Sequence, residues 1–122
     1  MMTGHVSSLR VLLSIPFRRP NQPDIAIEFA VDTGFNGFLS LPASAVAALG
    51  LPFRYDLRAR LADDSETILP VHDAVILWHG VELPVLVLAT GRRPLLGTAL
   101  LDGAEFFARF EENGSVTAKK IA

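Results

Sequence analysis

An acid, a hydroxyl and a glycine follow one another at Asp32-Thr33-Gly34, directly after the apolar run Phe29-Ala30-Val31. Asp and Gly are both poor strand residues, so a strand over residues 25–31 should stop at Asp32 and leave its carboxylate at the mouth of a loop. Gly34 lets backbone approach that carboxylate closely. The Thr33 hydroxyl both donates and accepts, which helps a half-buried loop keep its polar groups satisfied. A carboxylate fixed in this way is suited to taking or giving a proton. Alone, Asp-Thr-Gly is also an ordinary turn tripeptide, and its chemical weight depends on its surroundings.

A second element repeats the same order of apolar strand, glycine and short apolar helix at Pro94-Leu95-Leu96-Gly97-Thr98-Ala99-Leu100-Leu101. Val31-Asp32-Thr33-Gly34-Phe35-Asn36-Gly37 and Leu95-Leu96-Gly97 together resemble the retropepsin-like aspartic proteases, more closely the small bacterial proteins of that clan. The likeness covers most of the chain in order. It implies an all-β fold, the retropepsin-like acid protease closed barrel with one or two short helices, assembled as a homodimer. It implies that Asp32 is the catalytic acid or base, that Thr33 bonds across to the partner loop and braces it, and that Gly34 brings its amide to the carboxylate. Gly97 would pack behind Asp32. A hairpin with Asp63, Asp64 and Ser65 at its tip would be the flap that closes over substrate, although a solvated turn explains those residues equally well. Where relatives carry a small residue after Asp-Thr-Gly, this chain has Phe35. Where they pair an acid with an arginine, it has Asn36 and Thr98; losing both charges together leaves neither uncompensated. Asp64 stands at the tip where glycine is common, and Asp tolerates the left-handed conformation better than most residues.

Composition sets the outer limits. The 122 residues suit one domain, expected over 1–122, and half are hydrophobic, enough for a sizeable core. There is no cysteine, which excludes disulfides and thiolate metal sites and fits a reducing, cytoplasmic setting. A net charge of −2 with scattered arginines gives no basic stripe, so neither nucleic acid nor an anionic membrane is an expected partner. The first eight residues lack the pattern of a secretory signal. The apolar stretch at 74–89 is interrupted by His79, Glu82 and Pro84 and reads as two strands. His5, His72 and His79 are too dispersed to be metal ligands, and carboxylate chemistry needs no cofactor.

The remaining elements follow in order. Residues 5–15 read as one strand, 16–23 with three prolines as a connecting turn, and 25–31 as the strand that delivers Asp32. A short strand at 37–41 precedes a helix over 42–50, with Pro42 in its first turn and Gly50 past its end. Two extended arms, 51–61 and 66–77, flank the polar turn Ala62-Asp63-Asp64-Ser65 as a long hairpin. After a strand at 82–89 and the Leu95 element, 104–110 and 115–121 form a hairpin around Glu112-Asn113-Gly114. The run 116–121 reads as an edge open to pairing with another copy.

Peptide hydrolysis by carboxylates alone takes two of them facing one water, one ionised to accept its proton and one protonated to polarise the carbonyl. This chain has one Asp-Thr-Gly, so a two-fold axis must bring Asp32 and its mate together. Like charges that close cannot both ionise, so the pair shares a proton and mildly acidic conditions are favoured. Two readings stand: a homodimeric aspartic endopeptidase acting on extended peptide or protein substrates, and a dimeric, non-catalytic β module that binds an extended peptide, with Phe35 closing the cleft.

Overall fold

Alternation of apolar and polar side chains sets the strands, and β2 shows it best. Along it Val11, Leu13, Ile15 and Phe17 are buried while Ser14 and Arg18 face solvent, the period that puts one face on a core. The computed structural model describes residues 1–121. In chain order the elements are β1 (Met2–Ser7), β2 (Arg10–Arg19), β3 (Gln22–Val31), β4 (Leu39–Leu41), α1 (Ala43–Leu49), β5 (Phe53–Arg60) and β6 (Glu66–Trp78), then β7 (Val81–Ala89), β8 (Leu95–Leu96), α2 (Thr98–Leu101), β9 (Ala104–Ala108) and β10 (Ser115–Lys120). The protein is therefore mostly β with two short helices among the described residues, as its pattern of short apolar runs predicts.

The strands pair in the order β5-β6-β7-β4-β8-β3-β2-β1-β10-β9, and a single bridge between Phe17 and Ile76 also links β2 to β6. Most pairings are antiparallel, but β3 with β8 and β4 with β7 run parallel. Phe17 and Phe29 stack nearly parallel with ring centres 5.9 Å apart, beside fully buried Leu39, Leu41, Ile76 and Leu96. Each such side chain contributes about 1.5–3 kcal/mol by leaving water. Helix α1 follows Pro42 and stops at Gly50, whose φ of 65° is left-handed and whose N–H bonds back to the last turn.

Three expectations need correction. Residues 5–15 are not one strand: Ser8 and Leu9 both take positive φ, 51° and 64°, and fold β1 back onto β2. Residues 16–23 are not all turn: β2 continues through Pro16 to Arg19, and the reversal is confined to Pro20 and Asn21. Pro16 fits because β2 has by then passed β1, leaving only the Phe17–Ile76 bridge on that side. Finally, 116–121 is not an edge. Strand β10 is flanked by β1 and β9, because the folded-back N-terminal strand occupies the position that would otherwise lie open.

Candidate active site

The parallel pairing of β3 with β8 positions the acid. Ala30 sits opposite Leu95 and Val31 opposite Leu96, and the ladder continues one residue further, where the Asp32 N–H donates to the Leu96 carbonyl at 2.9 Å. The backbone of the acid is thus clamped before the chain turns. The Phe35 N–H then donates to the Asp32 carbonyl at 3.1 Å, and the Gly34 N–H donates to Asp32 Oδ1 at 2.9 Å. One carboxylate oxygen is held by backbone, and the half-buried side chain sits at the loop mouth. Thr33 and Gly34 are exposed beside it.

Behind the acid the two sequence elements lock together. The Gly97 N–H donates to Phe38 at 2.9 Å, the Thr98 N–H to Phe35 at 2.8 Å and the Ala99 N–H to Gly37 at 3.2 Å. Glycine is obligatory at 97: a Cβ there would lie 2.2 Å from the Gly37 carbonyl oxygen and 2.7 Å from the Phe35 ring. A Cβ on Gly37 would likewise meet the Phe35 ring at 2.7 Å. The Phe35 side chain is therefore folded against two glycines. The Thr98 hydroxyl lies 3.3 Å from the Phe35 carbonyl, to which it donates, and 3.4 Å from Asn36 Oδ1, so a neutral pair joins the two loops.

Beside this loop is an open cavity of about 230 Å³ lined by Asn36, Gly37, Leu39, Tyr55, Leu57, Val71, Leu86, Leu88 and neighbours. It brings residues of the acid loop together with the β5–β6 hairpin, and its walls are mainly apolar. Strand β5 is exposed along nearly its whole length, as an arm standing off the core. At its tip Asp64 takes a φ of 65°, and Asp63 accepts bonds from both the Ser65 hydroxyl and the Ser65 N–H. Those bonds, the hydroxyl first, hold the Asp63 carboxyl below its usual value. The tip's hydrogen bonds close within the hairpin, Leu61 N–H to Ser65 and Asp64 N–H to Leu61, and none ties it to Asp32.

No family model matches the sequence, and no curated protein matches it. A solved structure, described as a retropepsin-like aspartic protease from Rickettsia conorii, is similar to this chain with a TM-score of 0.54 at 18% identity, over 100% of this chain and 97% of the other. The fold is retropepsin-like.

On this retropepsin-like frame the structure brings Asp32, Thr33, Gly34, Phe35, Asn36 and Gly97 into one locked pair of loops, and leaves Asp63, Asp64 and Ser65 apart at the hairpin tip. Sequence reading missed Tyr55, Leu57, Val71, Leu86 and Leu88 as cavity walls. A signal was present: Phe53, Tyr55 and Leu57 alternate with Arg54, Asp56 and Arg58 on an arm with no core of its own to fill. Among the described residues, no three His, Asp or Glu side chains converge as metal ligands would, and no helix is long and apolar enough to cross a membrane.

Proposed function

We propose that the protein is an aspartic endopeptidase that acts as a homodimer, with Asp32 of each copy facing one water across a two-fold axis in a closed-barrel acid protease assembly. The observation that carries this reading is the setting of Asp32. Its backbone is clamped to Leu96, one carboxylate oxygen is held by the Gly34 N–H, and the other is left for chemistry. Similarity of the whole fold to a retropepsin-like protease supports it.

In the reaction the ionised acid takes a proton from water while its protonated mate donates to the peptide carbonyl, and the oxygen of the water bonds to the carbonyl carbon. The resulting gem-diol then collapses: the acid that took the water proton passes it to the departing amide nitrogen, the C–N bond breaks, and the ionised mate takes a proton from one gem-diol hydroxyl as the carboxyl C=O reforms, so that acid and amine are released and the pair again holds one proton. An extended peptide lies between the Asp32 loops and the β5–β6 hairpin, with Thr33 bracing the partner loop. The apolar cavity beside Asn36 and Gly37 accepts an aliphatic side chain, which sets a preference for apolar residues near the cleaved bond. The non-catalytic reading rested on Phe35 closing the cleft, but its ring is taken up against Gly37 and Gly97, which favours the enzyme. Incubation with an unfolded polypeptide across pH tests the proposal. Cleavage that is fastest in mild acid and lost in Asp32→Asn supports it; equal cleavage, or none, in both proteins contradicts it.

A further inference from the structure

Strand β3 has two faces, and Asp32 belongs to the outer one. Ile25, Ile27, Phe29 and Val31 turn toward the core, while Ala26 and Glu28 are exposed. The Ala30 N–H donates to the Pro94 carbonyl at 3.0 Å and the Asp32 N–H to the Leu96 carbonyl at 2.9 Å, so the two-residue period runs unbroken through Asp32. By that alternation Glu28, Ala30 and Asp32 point to the same side of the sheet. Neighbours on one face of a strand are about 6.6–6.8 Å apart, the span of two residues in an extended peptide, so a peptide cut at Asp32 passes over whatever surrounds Ala30.

Ala30 sits in a recess of about 290 Å³ lined by Arg10, Leu12, Glu28, Arg93 and Pro94. The floor is apolar. Leu12 pairs with Ala30 across β2 and β3 and is only 5% exposed, yet it stands outside the core cluster that holds Val11 and Leu13. It is buried from the outer side, beneath the recess. The rim is charged: Arg10, Arg93 and Glu28 are all exposed. Arg18, Arg54, Arg60 and Arg109 each reach an acid, but among the described residues the guanidiniums of Arg10 and Arg93 bond to nothing, Glu28 included. Two cations with all their donors free therefore face one anion. Arg93 is also fixed in place, because the next residue, Pro94, accepts the bond from Ala30.

We propose that this recess takes an acidic side chain of the substrate, with its methylenes on Leu12, Ala30 and Pro94 and its carboxylate between Arg10 and Arg93. The planar guanidinium fork matches a carboxylate, and an apolar floor suits the longer stem of Glu over Asp. A basic side chain meets two like charges there. The inference rests on the proposed peptidase for the ligand being a substrate, and it gives that enzyme a second preference beside the aliphatic one at Asn36 and Gly37. In the proposed dimer the two-fold axis sets one recess on each side of the paired acids.

Peptides capped at both ends test it, identical except for Glu or Gln at one position, which is moved stepwise away from an apolar pair. A third form keeps Gln and leaves the C-terminus uncapped. At about pH 6 the Glu side chain is ionised. The protein should cut the best Glu peptide with a kcat/KM about tenfold above that of its Gln twin, the worth of one charged hydrogen bond, and the ratio should shrink with added salt. Arg10→Gln and Arg93→Gln should each lower that ratio, the double change should bring it to about one, and Glu28→Gln should raise it. The same ratio is read without cleavage from dissociation constants of the Asp32→Asn protein, with both arginines present and with both replaced. A ratio near one in the unaltered protein, a ratio that the double change leaves intact, or a preference confined to the uncapped Gln peptide overturns the inference, and cleavage that depends on Asp32 then still upholds the peptidase. Glu peptides bound selectively through Arg10 and Arg93 but cut nowhere uphold the recess and remove the enzyme.

Discussion

Asp32 is held by groups that leave it little freedom: the Leu96 carbonyl takes its N–H, and the Gly34 N–H takes one carboxylate oxygen. Asp32→Asn keeps the shape and an acceptor oxygen for Gly34 but cannot exchange a proton as a carboxyl does, so cleavage should fall by at least about 100-fold, the usual worth of a positioned acid or base, with the melting temperature nearly unchanged. Gly97→Ala acts in the opposite way. Its methyl group would overlap the Gly37 carbonyl, and neither loop can move without breaking the bonds that join them, so thermal unfolding should show a loss of about 1–3 kcal/mol or more and activity should fall with it. Thr98→Val removes long, partly exposed bonds and should cost about 1 kcal/mol or less. Asp32, Gly34 and Gly97 were legible as candidates because two motifs, each an apolar strand running into a glycine, stand together in one chain in the order the resemblance requires; Asp-Thr-Gly alone reads as an ordinary turn. Val71, Leu86 and Leu88 were not, since an apolar residue in a strand looks the same whether it fills a core or lines a cleft, and the alternation that marks Tyr55 and Leu57 points to a cleft only once β5 is known to stand off the core. The placement of Phe35 was equally hidden, because only the register of the two loops sets its ring against two glycines.

At the scale of elements, alternation and turn residues revealed both helices and the strands from β3 onward, while β1 was merged into β2 and neighbours in the sheet stayed out of reach. The turn at Ser8 and Leu9 carries positive φ without the usual Asn-Gly signal, and missing it hid β1 and with it the true edge. The β6–β7 turn makes a prediction about pH. His79 there takes a φ of 54°, its ring sits edge-on to Trp78, and its buried Nε2 has no partner among the described residues. Burial first, then the N-terminal ammonium and Lys120, lower its pKa from 6.5. The unfolded chain therefore takes up the proton first as pH falls. The contribution to stability is complete above pH 6.5 and is lost as pH drops from there through the folded value. His79→Asn tolerates the positive φ and does not titrate, so its melting temperature should change less than that of the wild type between about pH 7 and pH 5. A steeper dependence in the variant would contradict this. At the hairpin tip, Ser65→Ala should raise the Asp63 titration midpoint toward the ordinary carboxylate value of 3.8, read by NMR.

At the scale of the whole molecule, the proposed site is complete only when two chains come together. At protein concentrations below the dimer dissociation constant, the rate of cleavage should rise with the square of concentration; a strictly linear rise through that range contradicts a shared site. Subunit mixing asks the question most directly. With wild-type protein held fixed and well above the dissociation constant, an equal amount of Asp32→Asn is added and allowed to exchange. Random pairing leaves half the wild-type chains in mixed dimers with a single acid, so activity should fall to about one half, and further with excess variant. Activity that stays constant however much variant is added would show that each chain works alone, and the paired-acid account would fail.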